Sequence, residues 1–335
     1  MKYADIILPV PLEGLFTYAI PERLLGRITF GMRVLVNFGP KKTYVGIVAK
    51  THDNEPKGYK TKEIIDIADE QPMLLDKQFK LWQWIADYYL SPIGDIYKAA
   101  MPSGLKAEEG YKPKTETYIR LGEKYRNVEA LHIAINMLNR AEKQLAAFLG
   151  YLQLSHWDEA EHHANIEEIT REELMNASHS TSTTIAMLVK RGMLETYEKE
   201  VGRLNDSGEP HPEKKHTLST ALTEAYNGIL FSMMKNNVTL LHGVTSSGKT
   251  EIYIHLIQHA LDEKKQVLYL LPEIALTVQI MSRLKKVFGR RLGIYHSKYS
   301  DAERVEIWQK QMSGDPYDVI LGARSAVFLP FQNLG

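Results

Sequence analysis

The sequence holds 335 residues, 41 of them Lys or Arg and 41 Asp or Glu, with no cysteine. That length suggests about two or three domains. The cancelled charge offers no bulk attraction to nucleic acid, although a neutral chain can still carry a local basic groove. The absence of cysteine excludes disulfides and thiolate zinc sites in these residues and fits a reducing cytosol. No apolar run reaches the roughly 18 residues a membrane helix needs, and MKYADIILPV lacks a signal-peptide pattern. A soluble cytoplasmic protein with no membrane contact is expected.

From the N-terminus to about residue 105, three short runs read as strands: 4–10, 33–38 and 44–49. They are rich in Val, Ile and Tyr and bounded by Pro9, Pro11, Gly31, Gly39 and Pro40. A small β-rich barrel or sandwich follows from that pattern. Residues 79–89 read as a helix whose Phe79, Trp82, Ile85, Ala86 and Tyr89 form an apolar stripe suited to core packing. Phe16 lies in the turn-like segment GLFTY between prolines, where an aromatic can join the core or stack on a base.

The stretch KAEEGYKPK, at 106–114, breaks the pattern and reads as a link between domains. Helices are expected over 132–139, 141–151 and 178–191, the last closed by Gly192. Between them TREELM starts a short helix, with Thr170 and Glu173 at capping-box spacing. MLETYEKEV then alternates like a strand. Helix, turn, helix and strand hairpin is the winged-helix order, which places such a domain at 106–203. That span holds 13 basic and 16 acidic residues, a poor balance for gripping a duplex. Protein contact or domain spacing is therefore at least as open as base reading. His162 and His163 lack metal-ligand spacing and read as surface residues.

LNDSGEPHPEKKH, at 204–216, has the composition of a linker. Beyond it the chain alternates: strand 238–241, helix 250–262, strand 267–271, helix 276–288, strand 291–295, helix 301–312 and strand 318–321. Such alternation predicts a parallel sheet covered by helices on both faces. Residues 243–250, GVTSSGKT, match the phosphate-loop pattern G-x-x-x-x-G-K-[ST], which arises by chance in only about 1% of chains this long. Gly243 and Gly248 let backbone N–H groups face phosphate oxygens, and the helix N-terminus adds partial positive charge. Lys249 would reach the β- and γ-phosphates, and the Thr250 hydroxyl would ligate magnesium. LPEIALTVQ at 271–279, YHS at 295–297 and LGARSAVFLPF at 321–331 follow successive strands. Together they read as contacts to a nucleic-acid backbone. Arg324 is the candidate phosphate contact among them, or else a solvated or salt-bridged surface residue.

These motifs resemble, in order, those of the bacterial primosomal replication-restart helicases: GVTSSGKTE, LPEIALTVQ, YHS, the DAER and Trp308 that follow, and GARSAVFLPF. LPVPLEGLFTYAIP, the GMRVLVNFG run and YVGIV look like that family's 3′-end DNA-binding domain, and DYYLSPIGDIYKAAMPSGL at 87–105 is similar to its junction with the winged helix. The resemblance covers nearly the whole chain and is weakest in the middle. It implies a multidomain α+β and α/β protein: a β-rich 3′-DNA-binding domain at 1–105, a winged-helix domain at 106–203, and part of a RecA-like P-loop helicase lobe at 217–335. The implied activity is that of a superfamily 2 DNA helicase that binds stalled or repaired forks, unwinds 3′ to 5′ with ATP, and helps reload the replicative helicase.

The same resemblance implies the sites. ATP with Mg2+ would be held by Gly243, Thr245, Ser246, Ser247, Gly248, Lys249, Thr250 and Glu251, the metal through Thr250. Phe16 would stack on the terminal base of a DNA 3′ end, with Thr17, Gly39 and Lys62 around it. The implied partners are forks with a 3′ end, single-stranded DNA-binding protein and other primosome proteins, met by a monomer. Two residues depart from the pattern. The family often has an acidic residue where Thr17 stands, and the adenine-reading glutamine of many helicases would fall near Leu222.

In the family, the segment matching FLPFQNLG continues into an Asp-Glu-Glu-His motif, a second motor lobe with its arginine finger, and a cysteine-rich insertion that binds Zn2+. An arginine finger alone contributes about 10³ to 10⁵ in rate. These 335 residues are therefore expected to be a fragment that binds DNA without turning over ATP, with zinc confined to the remainder. Two other readings stay open: a different P-loop enzyme such as a small-molecule kinase, and a non-catalytic scaffold whose winged helix recruits proteins.

Overall fold

The computed structural model describes residues 2–40, 42–56, 60–108, 111, 114–157, 166–200, 216–272, 278–296 and 299–335. They form two compact units, Met1–Lys112 with Arg203–Gly335, and Pro113–Gly202. Among the described residues no helix is long and apolar enough to cross a membrane.

In the first unit, β1 (Lys2–Ile7), β2 (Phe16–Ile20), β3 (Arg33–Phe38), β4 (Lys42–His52) and β5 (Ile64–Ile67) make one antiparallel sheet in the order β2-β1-β4-β3-β5. The Ala19 N–H donates to the Lys62 carbonyl at 2.9 Å, so the β2 edge turns back toward the segment before β5 and the sheet curls. Alternate residues Ala4, Ile6, Val34 and Val36 are buried in one cluster with Tyr18 and Val48, as the period of two requires. GLFTY is not a turn. Its last three residues are strand, because Ile6 and Asp5 of β1 pair with Phe16 and Thr17, and flanking prolines do not reveal a partner ten residues away. β5 is too short for alternation to mark it.

Two helices follow, α1 (Asp76–Tyr89) and α2 (Ile93–Ala100). Trp82 is fully buried and stacks on Tyr97, ring centroids 6.0 Å apart. The expected core stripe stops short, however: Tyr89 is 67% exposed. Leu90 adopts φ 51° and ends the helix before its final turn reaches the core. Trp84 and Tyr88 are also exposed and stack on each other at 5.1 Å.

The second unit runs β6 (Thr115–Leu121), α3 (Val128–Leu138), α4 (Glu142–Leu154), β7 (Ile169–Thr170), α5 (Arg171–Ala177), α6 (Ser182–Lys190) and β8 (Leu194–Glu200). Thr170 and Glu173 form the capping box of α5 in both directions. Phe148, Tyr151, Leu174, Ile185 and Leu188 fill its core. β8 was expected to be half of a hairpin; it pairs antiparallel with β6, which precedes the helices. His162, His163 and most of the 204–216 linker lie outside the described residues.

The first unit resumes with α7 (Thr220–Met233), α8 (Lys249–Asp262), β9 (Val267–Leu270), α9 (Val278–Phe288), β10 (Leu292–Tyr295), α10 (Asp301–Met312) and β11 (Val319–Gly322). The strands form a parallel sheet in the order β10-β11-β9. The strand expected at 238–241 is absent from it. Val238 and Leu240 are 84% and 86% exposed, and the run pairs with no described strand. Residues 333–335 bridge to Gln266 at the start of β9 instead. A short apolar run has strand propensity, but a strand requires a ladder to join.

Candidate nucleic-acid and nucleotide sites

Phe16, Gly39 and Lys62 converge at one end of the curled sheet. The Phe16 ring meets Phe38 edge to face at 4.9 Å, and Phe38 meets Tyr44 in the same way at 6.2 Å. The Lys62 ammonium donates to the Gly39 carbonyl at 2.6 Å. Gly39, at φ 70°, turns the chain out of β3. A half-buried aromatic beside an ammonium can stack on a base and neutralise a phosphate.

The Thr17 side chain is not part of this group. Strand alternation sends it away from Phe16 and Tyr18, and its hydroxyl donates to Asp5 Oδ1 at 2.6 Å. Asp5 also meets His52 Nε2 and Lys50 Nζ, each at 3.2 Å. Burial raises the Asp5 carboxyl, but the hydrogen bonds from Thr17, His52 and Lys50 outweigh it and hold the group below its ordinary value. Sequence reasoning missed Asp5. The available signal was an acid inside an apolar strand, without the register that sets it opposite Thr17.

The phosphate loop leads into α8 as its spacing demands. Gly248 is the N-cap at φ 85°, and Ser246 holds φ 61°, a left-handed conformation uncommon outside glycine. A β-carbon at Gly248 would lie 2.9 Å from Leu222 Cδ1, so Leu222 packs directly on the loop. Thr245, Ser246 and Ser247 are exposed, and Thr250 lies in the first turn of the helix. Lys249 folds back, donating to the carbonyls of Gly243 at 2.8 Å and Val244 at 2.5 Å. Glu251 accepts from Arg283 of α9 at 2.7 Å. The glycine turn, helix N-terminus and lysine fit a nucleotide phosphate with its magnesium.

The ends of the parallel strands meet nearby in the fold. Leu271 N–H donates to Gly322 O at 2.9 Å, and Ala323 N–H to Tyr295 O at 3.2 Å. Arg324 opens the 3-10 turn Arg324–Phe328 after β11 and is exposed. His296 packs on Tyr299 at 4.3 Å. Ser297 and residues 273–277 of LPEIALTVQ lie outside the described residues.

On the second unit, one face of β6 and β8 is lined by cross-strand pairs. Arg120 bonds Glu195 at 2.9 Å, Tyr118 faces Tyr197, and Lys199 pairs with Glu168. Arg120 and Lys199 also lie over the rings of Tyr197 and Tyr118, at 5.6 and 5.4 Å. These two cations are therefore already engaged.

Three family descriptions match the chain in succession. The PriA 3′ DNA-binding domain (3′BD) matches residues 5–102 and the winged-helix domain of PriA helicase from Bacteroidota matches 116–201. The DEAD/DEAH box helicase domain matches 223–333. The chain belongs to the PriA family. It is 31% identical to the replication restart protein PriA of Haemophilus influenzae over 344 residues, spanning all of this chain and 43% of that protein. Against PriA of Bacillus subtilis it is 28% identical over 392 residues, spanning all of this chain and 48% of the relative. Against PriA of Chlamydia trachomatis it is 30% identical over 348 residues, with 99% and 43% spanned. The chain thus spans less than half the length of the PriA proteins it matches. A helicase domain of this kind uses a nucleotide and magnesium in general.

Proposed function

We propose that this chain serves a replication-restart DNA helicase that recognises stalled or repaired forks through the 3′ end of the nascent strand, moves 3′ to 5′ with ATP, and starts the reloading of the replicative helicase. The observation that carries this reading is the gathering of Phe16, Phe38, Gly39 and Lys62 at one end of the sheet, inside the span that matches the 3′ DNA-binding domain. In it Phe16 stacks on the terminal base, Lys62 and the Gly39 turn approach the terminal nucleotide, and Thr17 contributes its backbone while Asp5 holds its side chain. Residues 243–250 cradle the nucleotide phosphates, Thr250 ligates magnesium, and Arg324 contacts a DNA phosphate. Bound ATP supplies the free energy for strand movement.

The engaged cations of β6 and β8 favour protein contact or spacing for the winged-helix unit over duplex gripping. Primosome proteins, including single-stranded DNA-binding protein, belong to this reading as partners. The test is binding to two forks that differ only in a 3′-hydroxyl or a 3′-phosphate at the nascent end. Tighter binding to the hydroxyl is expected, and Phe16→Ala should weaken that fork alone. Equal affinities would remove end recognition, while phosphate transfer to a metabolite would favour a small-molecule kinase.

A further inference from the structure

The β-domain and the P-loop lobe are joined by contacts that neither candidate site uses. Asp301, the first residue of α10, reaches across to the 3-10 turn Ser103–Leu105. Its Oδ1 accepts from the Ser103 N–H at 2.8 Å, and its Oδ2 accepts from the Gly104 N–H. Ser300 and Glu303 already form the capping box of α10, so the Asp301 carboxylate is spare for its own helix and closes the N-terminus of another. Gly104 suits the close approach: a β-carbon there would press at 3.1 Å on both Asp301 Oδ2 and Val305 Cγ2.

The surroundings hold the same joint. Trp308, fully buried, donates its Nε1–H to the Met73 carbonyl at 2.9 Å. Gln78 donates to the Phe328 carbonyl at 2.7 Å, and Phe328 closes the turn that Arg324 opens. The Tyr111 hydroxyl donates to Glu306 at 2.6 Å. From the other side Arg33, 4% exposed, pairs with Asp69 and donates to the Leu105 carbonyl. Tyr97, Leu105, Val305 and Trp308 are buried together in one core. Charge-assisted bonds to backbone N–H groups over such a core make a stiff joint.

We propose that Asp301 is a positioning residue for fork recognition: by clasping the Ser103–Leu105 turn it holds the 3′-end pocket at a set separation from the Arg324 turn, so that the protein reads the length of the gap between a nascent 3′ end and the strand at the P-loop lobe. This rests on the function proposed above. Two DNA contacts on a stiff frame bind best where the DNA spacing matches the frame, and a slack joint flattens that dependence.

The experiment is equilibrium binding of the purified chain to forks whose 3′-hydroxyl lies at stepwise distances, from zero to about ten nucleotides, from the junction. The native chain should show one narrow optimum, with affinity falling about tenfold within a few nucleotides of it. Asp301→Ala and, independently, Gly104→Ala should flatten the profile to less than about threefold variation. Binding of a short single strand ending in a 3′-hydroxyl, and its discrimination against a 3′-phosphate, should stay at native levels in both variants, which also establishes that the β-domain is folded. If either variant unfolds, Asp301→Asn, which keeps one good acceptor, should give an intermediate width. A native profile flat in gap length, or variants with the native optimum and width, would overturn the proposal. Absence of 3′-end discrimination in the native chain would instead overturn the function on which it rests.

Discussion

The proposed 3′-end site and the phosphate loop belong to one compact unit, yet they are prepared for ligands in different ways. At the pocket, Phe16 rests on Phe38, Lys62 is held by Gly39, and a closed apolar core lies beneath. At the loop, three consecutive polar residues are exposed, and Lys249, like Lys62, donates to backbone carbonyls that a phosphate must displace. Preorganised contacts leave more of their interaction energy for binding than contacts ordered by the ligand. The strength of a motif in sequence and its readiness in structure are therefore separate properties. The phosphate loop is the sharpest signal in the chain and the less prepared of the two sites.

The comparison breaks most visibly at the joint between the β-domain and the P-loop lobe. Trp308→Ala removes a fully buried indole and its hydrogen bond to Met73. It should cost about 3–5 kcal/mol of stability, read from denaturant unfolding. Lys249→Ala should instead leave stability near native and weaken magnesium-nucleotide binding by about 1.5–3 kcal/mol, measured by titration with a fluorescent nucleotide. Fork affinity without nucleotide should not change. Phe16→Ala should cost about 1–3 kcal/mol in binding a 3′-hydroxyl end and nothing in nucleotide binding. If both variants damaged both ligands equally, the two sites would not be separate.

Two smaller effects sharpen the picture. The Asp5 carboxyl lies below its ordinary value in the folded chain. A depressed acid contributes stability that is complete above the unfolded value and is lost as pH falls through the folded one. The stability difference between the native chain and Asp5→Asn should therefore be constant from neutral pH down to about pH 4 and shrink below it. A difference that grew on acidification would contradict the hydrogen bonds seen at Asp5. Least of all, Arg120→Ala or Lys199→Ala should alter fork affinity by less than about twofold, since both cations are spent on carboxylates and rings. A tenfold loss would return the winged-helix unit to the DNA-binding surface.

Much of the fold was legible because its signals are local. The α8 helix and its phosphate loop, the capping box at Thr170, and the alternation of β9 to β11 with helices lie in windows of a few residues. The strand at 238–241 failed for the complementary reason: its apolar residues were read correctly, but the run joins no described strand, and pairing is not written in its own residues. β2 failed in the other direction, hidden between prolines until β1 supplied its register. Of the proposed DNA residues, Phe16, Gly39 and Lys62 lie far apart in sequence, and only family resemblance brought them together before the coordinates did. Asp5 carried no motif at all, and the Thr17 side chain took its direction from the pleat.

By itself the sequence determined the phosphate loop, the order of strands and helices after it, and the family. Consecutive residues carry that chemistry, and the backbone between them has few ways to fold. The tertiary structure alone decided that the β-domain and the P-loop lobe share a core, that Asp301 caps a turn at Gly104, and that Thr17 answers to Asp5. Gln78 and Phe328 stand 250 positions apart, and Met73 and Trp308 stand 235. No periodicity encodes such pairs, because they exist only once burial of both faces has chosen which segments meet.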